Sequence, residues 1–254
     1  MKLTGNTIFI TGGTSGIGRG LAEALHKLGN QIIISGRRRA LLDEVISLNP
    51  GMAAIELDIN SPASIAQAAE TLIRDYPATN VLLNNAGIMP FDDASTTIDD
   101  ASAVAVITTN LLGSIRMTSA LIEHLKTKEE ATVLYTTSVL AFVPISTNAV
   151  YSATKAALHS FALSQRFQLR HTNVRVQEIA PPWVDTDLIH KGGDPRAMPL
   201  DTFIEQTISA LGSDDPEVFV EAIRPLRDNP GVNEHGLVNA FNQSIADNPI
   251  PTGN

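Results

Sequence analysis

The chain has no cysteine among its 254 residues. That excludes a disulfide scaffold, a cysteine nucleophile, a thiolate zinc site and an iron–sulfur cluster, and it suits a reducing compartment. Positive charge is scarce as well: 18 Lys and Arg against 27 Asp and Glu give a net charge of −9. Nucleic-acid binding through a basic surface is therefore not expected. Uninterrupted apolar runs never approach the ~18 residues of a membrane span. The most apolar tract, 133–145, is cut by Thr136, Thr137, Ser138 and Pro144. The first apolar run is broken at once by glycines, unlike the core of a signal peptide. A cytoplasmic location, no membrane partner and small-molecule ligands are the expectations. The chain is long enough to bury a core without metal or covalent staples.

What is present is an alternation. Short β-branched runs at 7–10, 31–34, 53–57, 81–83, 132–135 and 174–179 are separated by stretches of helical period at 16–28, 39–48, 62–75, 101–127 and 149–171. Gly29 ends the first helix, and Ser61-Pro62 opens the third. Near-continuous apolar strands between helices indicate an α/β protein with a parallel sheet covered on both faces. Past residue 180 the pattern changes, and nine of the 14 prolines fall there. Helical pieces are expected at 200–211, 217–226 and 234–245, with no clear seventh strand.

Thr11-Gly12-Gly13-Thr14-Ser15-Gly16-Ile17-Gly18 joins the first strand to the first helix. Glycines let a pyrophosphate approach the main chain, and a helix N-terminus offers it free N–H groups. A tight turn of no consequence is the alternative, but the strand–loop–helix context argues for a dinucleotide. About 20 residues on, an NAD site usually carries an acid for the ribose hydroxyls. Here the chain reads Ser35-Gly36-Arg37-Arg38-Arg39. A guanidinium would pair instead with a 2′-phosphate, which favours NADP over NAD, with Arg37 first and Arg38 second. A solvated charge run is the alternative.

Tyr151 and Lys155 are four apart in a helical stretch and so share a face. A nearby ammonium favours the phenolate and makes the pair a proton donor and acceptor for an alcohol–carbonyl couple. Ser138 ends the fifth strand, where such sheets hold ligands, and its hydroxyl could bond the substrate oxygen. By itself, a Tyr and a Lys at this spacing also describes an ordinary helix surface.

Together these residues resemble the short-chain dehydrogenase/reductase family, in its short one-domain branch. The resemblance rests on the glycine loop 11–18, on Asn84-Asn85-Ala86-Gly87 after the fourth strand, on Asn110 in the next helix, and on Ser138, Tyr151 and Lys155. It implies a Rossmann-type doubly wound parallel sheet of six or seven strands with a helical C-terminal extension. It also implies a single domain over 1–254, with a substrate lid at about 183–212 and an atypical segment at about 213–254. Tyr151 would be the general acid/base, with Lys155 lowering its pKa and holding the nicotinamide ribose. Ser138 would orient the substrate oxygen, and Asn110 would hold a proton-relaying water. Asp58 with Ile59 would contact the adenine, and Asn85, Ala86 and Gly87 would border the cofactor. Pro181, Val184 and Thr186 match the family stretch after the sixth strand, with Thr186 on the carboxamide or pyrophosphate. Pro182 stands where the family has glycine, so a backbone N–H is lost and the loop's path is open.

Leu140, Phe142, Trp183 and Leu188 are expected to line an apolar substrate pocket, with Phe91, Val143, Ile189 and Met198 nearby; ordinary core is the alternative for half of them. His159, one turn past Lys155, is read as a packing residue, and Asp92, Asp93, Asp99 and Asp100 as solvated loop and helix-start acids. No metal site is expected. The implied activity is NADP(H)-dependent interconversion of a carbonyl and an alcohol, favouring reduction of a mid-sized apolar ketone or aldehyde. A non-catalytic NADP sensor on the same fold is the alternative. An epimerase or dehydratase is disfavoured by the spacing of the glycines. A homo-oligomer is expected. Without a seventh strand, a dimer through the helices around 103–126 and 150–170 is favoured over a tetramer.

Overall fold

The computed structural model describes residues 1–189, 192, 194–228, 231 and 233–249. His190, parts of the expected lid (191, 193) and parts of the C-terminal segment (229, 230, 232, 250–254) lie outside the described residues. Seven parallel strands form one sheet in the order β3-β2-β1-β4-β5-β6-β7. They are β1 Thr7–Thr11, β2 Gln31–Gly36, β3 Ala53–Glu56, β4 Thr79–Asn84, β5 Ala131–Thr136, β6 Val174–Ile179 and β7 Glu217–Val218. Between them run α1 Gly16–Lys27, α2 Arg39–Leu48, α3 Pro62–Asp75, α4 Asp100–Ile107, α5 Gly113–Lys126, α6 Ala149–Leu169 and α7 Leu200–Leu211; α8 Arg224–Arg227 and α9 Glu234–Asp247 follow β7.

The strands read as continuous apolar runs because both faces of the sheet are covered. Along β1, Ile8 and Ile10 enter one core cluster with Leu21, Leu25 and Phe203, while Phe9 enters the other with Leu72, Leu82 and Leu121. Alternate side chains of one strand thus serve two cores. The chain winds outward from β1 to β3, then returns to place β4 beside β1. That reversal opens a crevice at the carboxyl ends of β1 and β4, where the glycine loop and Asn85 to Gly87 follow.

Two expected elements differ. The helix expected over 101–127 is interrupted by a π turn, Thr108–Leu112. The surrounding Asp100–Lys126 stretch is, by length and composition, apolar enough to cross a membrane, but it packs on α3, α6 and β4. An apolar stretch without a polar face carries no period from which an extra residue could be read. The second difference lies at 217–226, expected as helix. A seventh strand begins there, Glu178 pairing with Glu217 and Ile179 with Val218, and a short 3₁₀ turn and α8 follow. Two residues are too few to alternate, so nothing local marked them as a strand. The preference for a dimer over a tetramer loses its premise, since it was drawn from a missing seventh strand.

Candidate active site

The loop between β1 and α1 is held close by contacts that leave no room for side chains. A Cβ on Gly12 (φ +70°) would lie 2.9 Å from Cα of Ala86, and one on Gly13 would lie 2.7 Å from Ile34. A Cβ on Gly18 would run into the Gly12 carbonyl and the Asn85 side chain. The Asn85 amide nitrogen donates to the carbonyls of Thr11 (3.3 Å) and Gly12 (3.1 Å). Backbone N–H groups of Asn85 and Ala86 both donate to Thr11 Oγ1, at 3.0 and 3.1 Å. Ser15 is the N-cap residue of α1 but makes no side-chain cap, and the first turn holds no acid. An open helix N-terminus above a glycine floor fits a dinucleotide's phosphates. Thr14 leans over Gly36 at the end of β2, and Ile17 packs its side chain on the core.

Past Gly36 the three arginines divide. Arg39 pairs with Asp43 at 2.8 Å. Arg37 and Arg38 are exposed and form no ion pair among the described residues. Asp58 uses its carboxylate on the N–H of Asn60 (3.0 Å). Ile59 is buried, its side chain on the core and near Gly113. An adenine contact at Ile59 is thereby left to its backbone.

At the ends of β4 and β5 the remaining site residues meet. Asn110 lies in the π turn, fully buried. Its Oδ1 accepts from the Ile88 N–H (2.9 Å), and its Nδ2 donates to the Ile88 carbonyl (2.9 Å) and to Thr154 Oγ1 (3.4 Å). Gly87 sits against the same carboxamide. Lys155 is buried on α6 and donates to the Thr136 carbonyl at 2.6 Å, with its ammonium 5.4 Å from the centre of the Tyr151 ring. The Tyr151 hydroxyl faces the Ser138 side chain. Thr136 and Thr154 were not singled out in the sequence, because a carbonyl acceptor or a Thr on the next helical turn has no motif.

The electrostatics run against one expectation. Tyr151 was expected to be acidified by Lys155. Burial instead pushes its pKa up to about 12, and the Ser138 hydroxyl only partly offsets this. The same burial brings Lys155 down to about 8. The ammonium is turned to the Thr136 carbonyl, so desolvation outweighs its attraction for a phenolate. The phenol is therefore in its acid form at neutral pH.

The start of α6 is secured from a distance. Asp92 accepts from the N–H groups of Ala149 (2.8 Å) and Val150 (2.9 Å), capping the helix that carries Tyr151 and Lys155. It was read as a solvated loop acid. The correction lies in the topology, since a cap supplied by another loop leaves no local signal. Asp99 caps α4 through the Ser102 N–H (2.8 Å), as a helix-start acid does.

Pro181 accepts from the Val139 N–H (3.0 Å), Val184 bridges to Met198, and buried Thr186 arrives against Gly16. Leu140 is buried and Leu188 is exposed. Trp183 is half-buried, and its indole N–H has no partner among the described residues. Phe142 packs edge-on against His159 (4.9 Å between centroids) and Phe219 (6.0 Å), beneath Arg227. Its ring contacts run to the C-terminal segment. His159 does more than pack: its Nδ1 lies 2.8 Å from Glu178, and Glu217 is close by. Those three groups could surround a cation by distance alone. Each carboxylate is already matched by an arginine, Arg166 to Glu178 and Arg227 to Glu217.

An open glycine loop at the crevice of a doubly wound sheet, facing a buried Ser, Tyr and Lys, is the layout of a nicotinamide-dependent oxidoreductase. The short chain dehydrogenase family model matches residues 6–196, and the chain belongs to that family. It is 37% identical over 234 residues to the uncharacterized oxidoreductase DltE of Bacillus subtilis, covering 90% of this chain and 93% of that one. It is 30% identical over 192 residues to an NADP-dependent 3-hydroxy acid dehydrogenase of Schizosaccharomyces pombe, covering 73% and 74% of the two chains. A short chain dehydrogenase from Burkholderia cenocepacia, solved in complex with NADP, superposes with a TM-score of 0.80 at 25% identity, covering 99% of this chain and 100% of that one. The protein is thus an oxidoreductase acting on a small molecule.

Proposed function

We propose that this single-domain, cytoplasmic enzyme reduces a mid-sized apolar ketone or aldehyde with NADPH. The observation that carries the reading is the buried Tyr151 hydroxyl beside Ser138 at the end of β5, with Lys155 on the same helix face. The nicotinamide, when bound, supplies the hydride. Ser138 and Tyr151 bond the carbonyl oxygen, and Tyr151 gives it a proton as negative charge develops there. A phenol with a pKa near 12 is fully loaded as an acid at neutral pH, the form that carbonyl reduction uses. Lys155 holds the ribose and keeps a positive charge near the tyrosinate left behind, and the Asn110 region returns a proton to it. Gly12, Thr14, Ser15, Gly16, Ile17 and Gly18 hold the pyrophosphate, with Thr186 closing over it. Arg37 and Arg38 take the 2′-phosphate, in line with their lack of carboxylate partners and with two NADP-linked relatives. A homodimer through α4–α5 and α6 is supported by exposed Val104 and Ile107 on one helix and Leu163 and Phe167 on the other.

The test is cofactor consumption at the nicotinamide absorbance band with NADPH or NADH and a panel of ketones and aldehydes. NADPH should be preferred. Replacing Arg37 and Arg38 with Ala should raise the KM for NADPH about tenfold or more, since a charge-assisted bond is worth roughly 1.5–3 kcal/mol, and should leave NADH kinetics unchanged. No consumption with any carbonyl would sink the enzymatic reading; an unchanged preference in the double variant would sink the phosphate assignment.

A further inference from the structure

The last helix, α9, has an apolar stripe and two polar fastenings. Leu237, Val238, Phe241, Asn242 and Ile245 are its half-buried residues, and the rest of its surface is open to solvent. Phe241 and Ile245 are four apart, so they share a face. Both pack on the larger of the two core clusters, whose members include Leu140, Ile145, Tyr151 and Val184 as well as Ile8, Leu21 and Phe203.

The first fastening is Asn242. Its side-chain oxygen accepts from the Ser146 N–H, and its Nδ2 donates to the Pro144 carbonyl at 3.0 Å. Those residues belong to the loop between Ser138 and Tyr151. The second fastening is Arg196, in the segment between β6 and α7. Its guanidinium donates to the carbonyls of Asn248 and Pro249 just past the helix, pairs with Asp194 at 2.8 Å, and lies 5.1 Å over the Trp183 ring. The helix is therefore tied to the loop after β5 and to the loop after β6. The loop after β5 runs from Ser138 to Tyr151, and the loop after β6 joins it where the Val139 N–H donates to the Pro181 carbonyl, so both border the reacting pair.

We propose that α9 is the outer wall of the substrate cleft, held across it by Asn242 and Arg196, and that Phe241 limits substrate length there. This rests on the reading of Ser138 and Tyr151 as the reacting centre. The wall is apolar, so the substrate favoured is a compact apolar carbonyl compound. A long chain or a charged tail would have to displace Phe241 or break a fastening.

Two measurements test this, and the first needs no activity. Trp183 is the only tryptophan, and it lies under Arg196 at the far fastening from Asn242. In Asn242→Ala, acrylamide quenching of its fluorescence should rise about twofold or more, while Gln243→Ala on the exposed side of α9 should leave it unchanged. The second compares kcat/KM for 2-octanone and 2-butanone with NADPH. Phe241→Ala should shift the ratio about tenfold toward the longer ketone, the scale set by a few methylenes in an apolar pocket. Unchanged quenching in Asn242→Ala, with its melting temperature intact, would overturn the two-point fastening. An unchanged ratio in Phe241→Ala would overturn the length limit. If the unmodified protein reduces no carbonyl, the enzymatic reading fails, and the quenching result still decides whether α9 is fastened as a wall.

Discussion

The two sides of the crevice are built from different materials. On the β1–α1 side the ligand surface is backbone: Gly12, Gly13 and Gly18 lie where a single added carbon would collide, and the helix start carries no cap. On the β5–α6 side it is buried polar side chain: Thr136, Ser138, Asn148, Tyr151, Ser152, Thr154 and Lys155 are all nearly inaccessible to solvent. The first side excludes substitution sterically. The second tolerates shape changes but has polar groups whose desolvation must be offset by hydrogen bonds. One surface is selected for close approach, the other for where protons sit.

The largest effect should come from the polar side. Tyr151→Phe keeps the ring and removes the proton, so kcat/KM should fall about 10²–10⁴-fold. The melting temperature should hold, because the lost hydroxyl is a buried polar group that faces Ser138 alone among the described residues. A variant that kept near-normal turnover would erase the contrast drawn above.

Gly18→Ala should act on the other side as a structural lesion. Overpacking of this kind costs about 1–3 kcal/mol, and here the obstacle is the Gly12 carbonyl. Lower thermal stability and weaker NADPH binding should appear together. Tight binding in a stable variant would mean the loop has slack that the contacts deny.

Lys155→Met should separate stability from activity. A fall from 10.5 to about 8 corresponds to about 3 kcal/mol of disfavoured charge at 1.36 kcal/mol per unit, an upper bound given the bond to Thr136. Below pH 8 the folded protein carries that cost in full. Between pH 8 and 10.5 the unfolded chain binds the extra proton, so stability rises with pH across that window and the cost is relieved. Above pH 10 Tyr151 reverses the trend, because the folded state keeps a proton that the unfolded chain loses. Denaturation of Lys155→Met at neutral pH should show a more stable, inactive protein, with the gain shrinking toward pH 10. A constant difference across that range would refute the desolvation argument.

Asp92→Ala should have the smallest effect, about 1 kcal/mol for a lost helix cap. Its sharper signature is kinetic: kcat should drop more than KM for NADPH rises, because the α6 start holds Tyr151 directly and reaches the cofactor only through Lys155, while the glycine loop is untouched. Stopped-flow single turnover would read it directly.

How far the sequence could be read follows the same division. The β1–α1 loop and its glycines were legible because backbone chemistry is local and its punctuation adjoins the elements it serves. Six strands and most helices followed from period for the same reason. Asp92 capping α6, Asn242 gripping the Pro144 loop and Arg196 reaching Asn248 join residues tens of positions apart, and nothing near them in the chain announces the partner. The two residues of β7 gave no period to read, although Arg166, Glu178, Arg227 and Glu217 bind that edge together. The direction of the Tyr151 shift went wrong because a spacing of four fixes a shared helix face but not where a flexible ammonium points.

The π turn at Thr108–Leu112 has a consequence for how this helix can vary. It is one residue too many for an α-helix, lodged where Asn110 turns its carboxamide to Ile88 and its backbone carbonyl accepts from the Ser114 hydroxyl. Removing a single residue there would let α4 and α5 fuse into one smooth rod with better hydrogen bonding and a poorer hold on its neighbours. A deletion of one codon would thus give a tidier, silent protein.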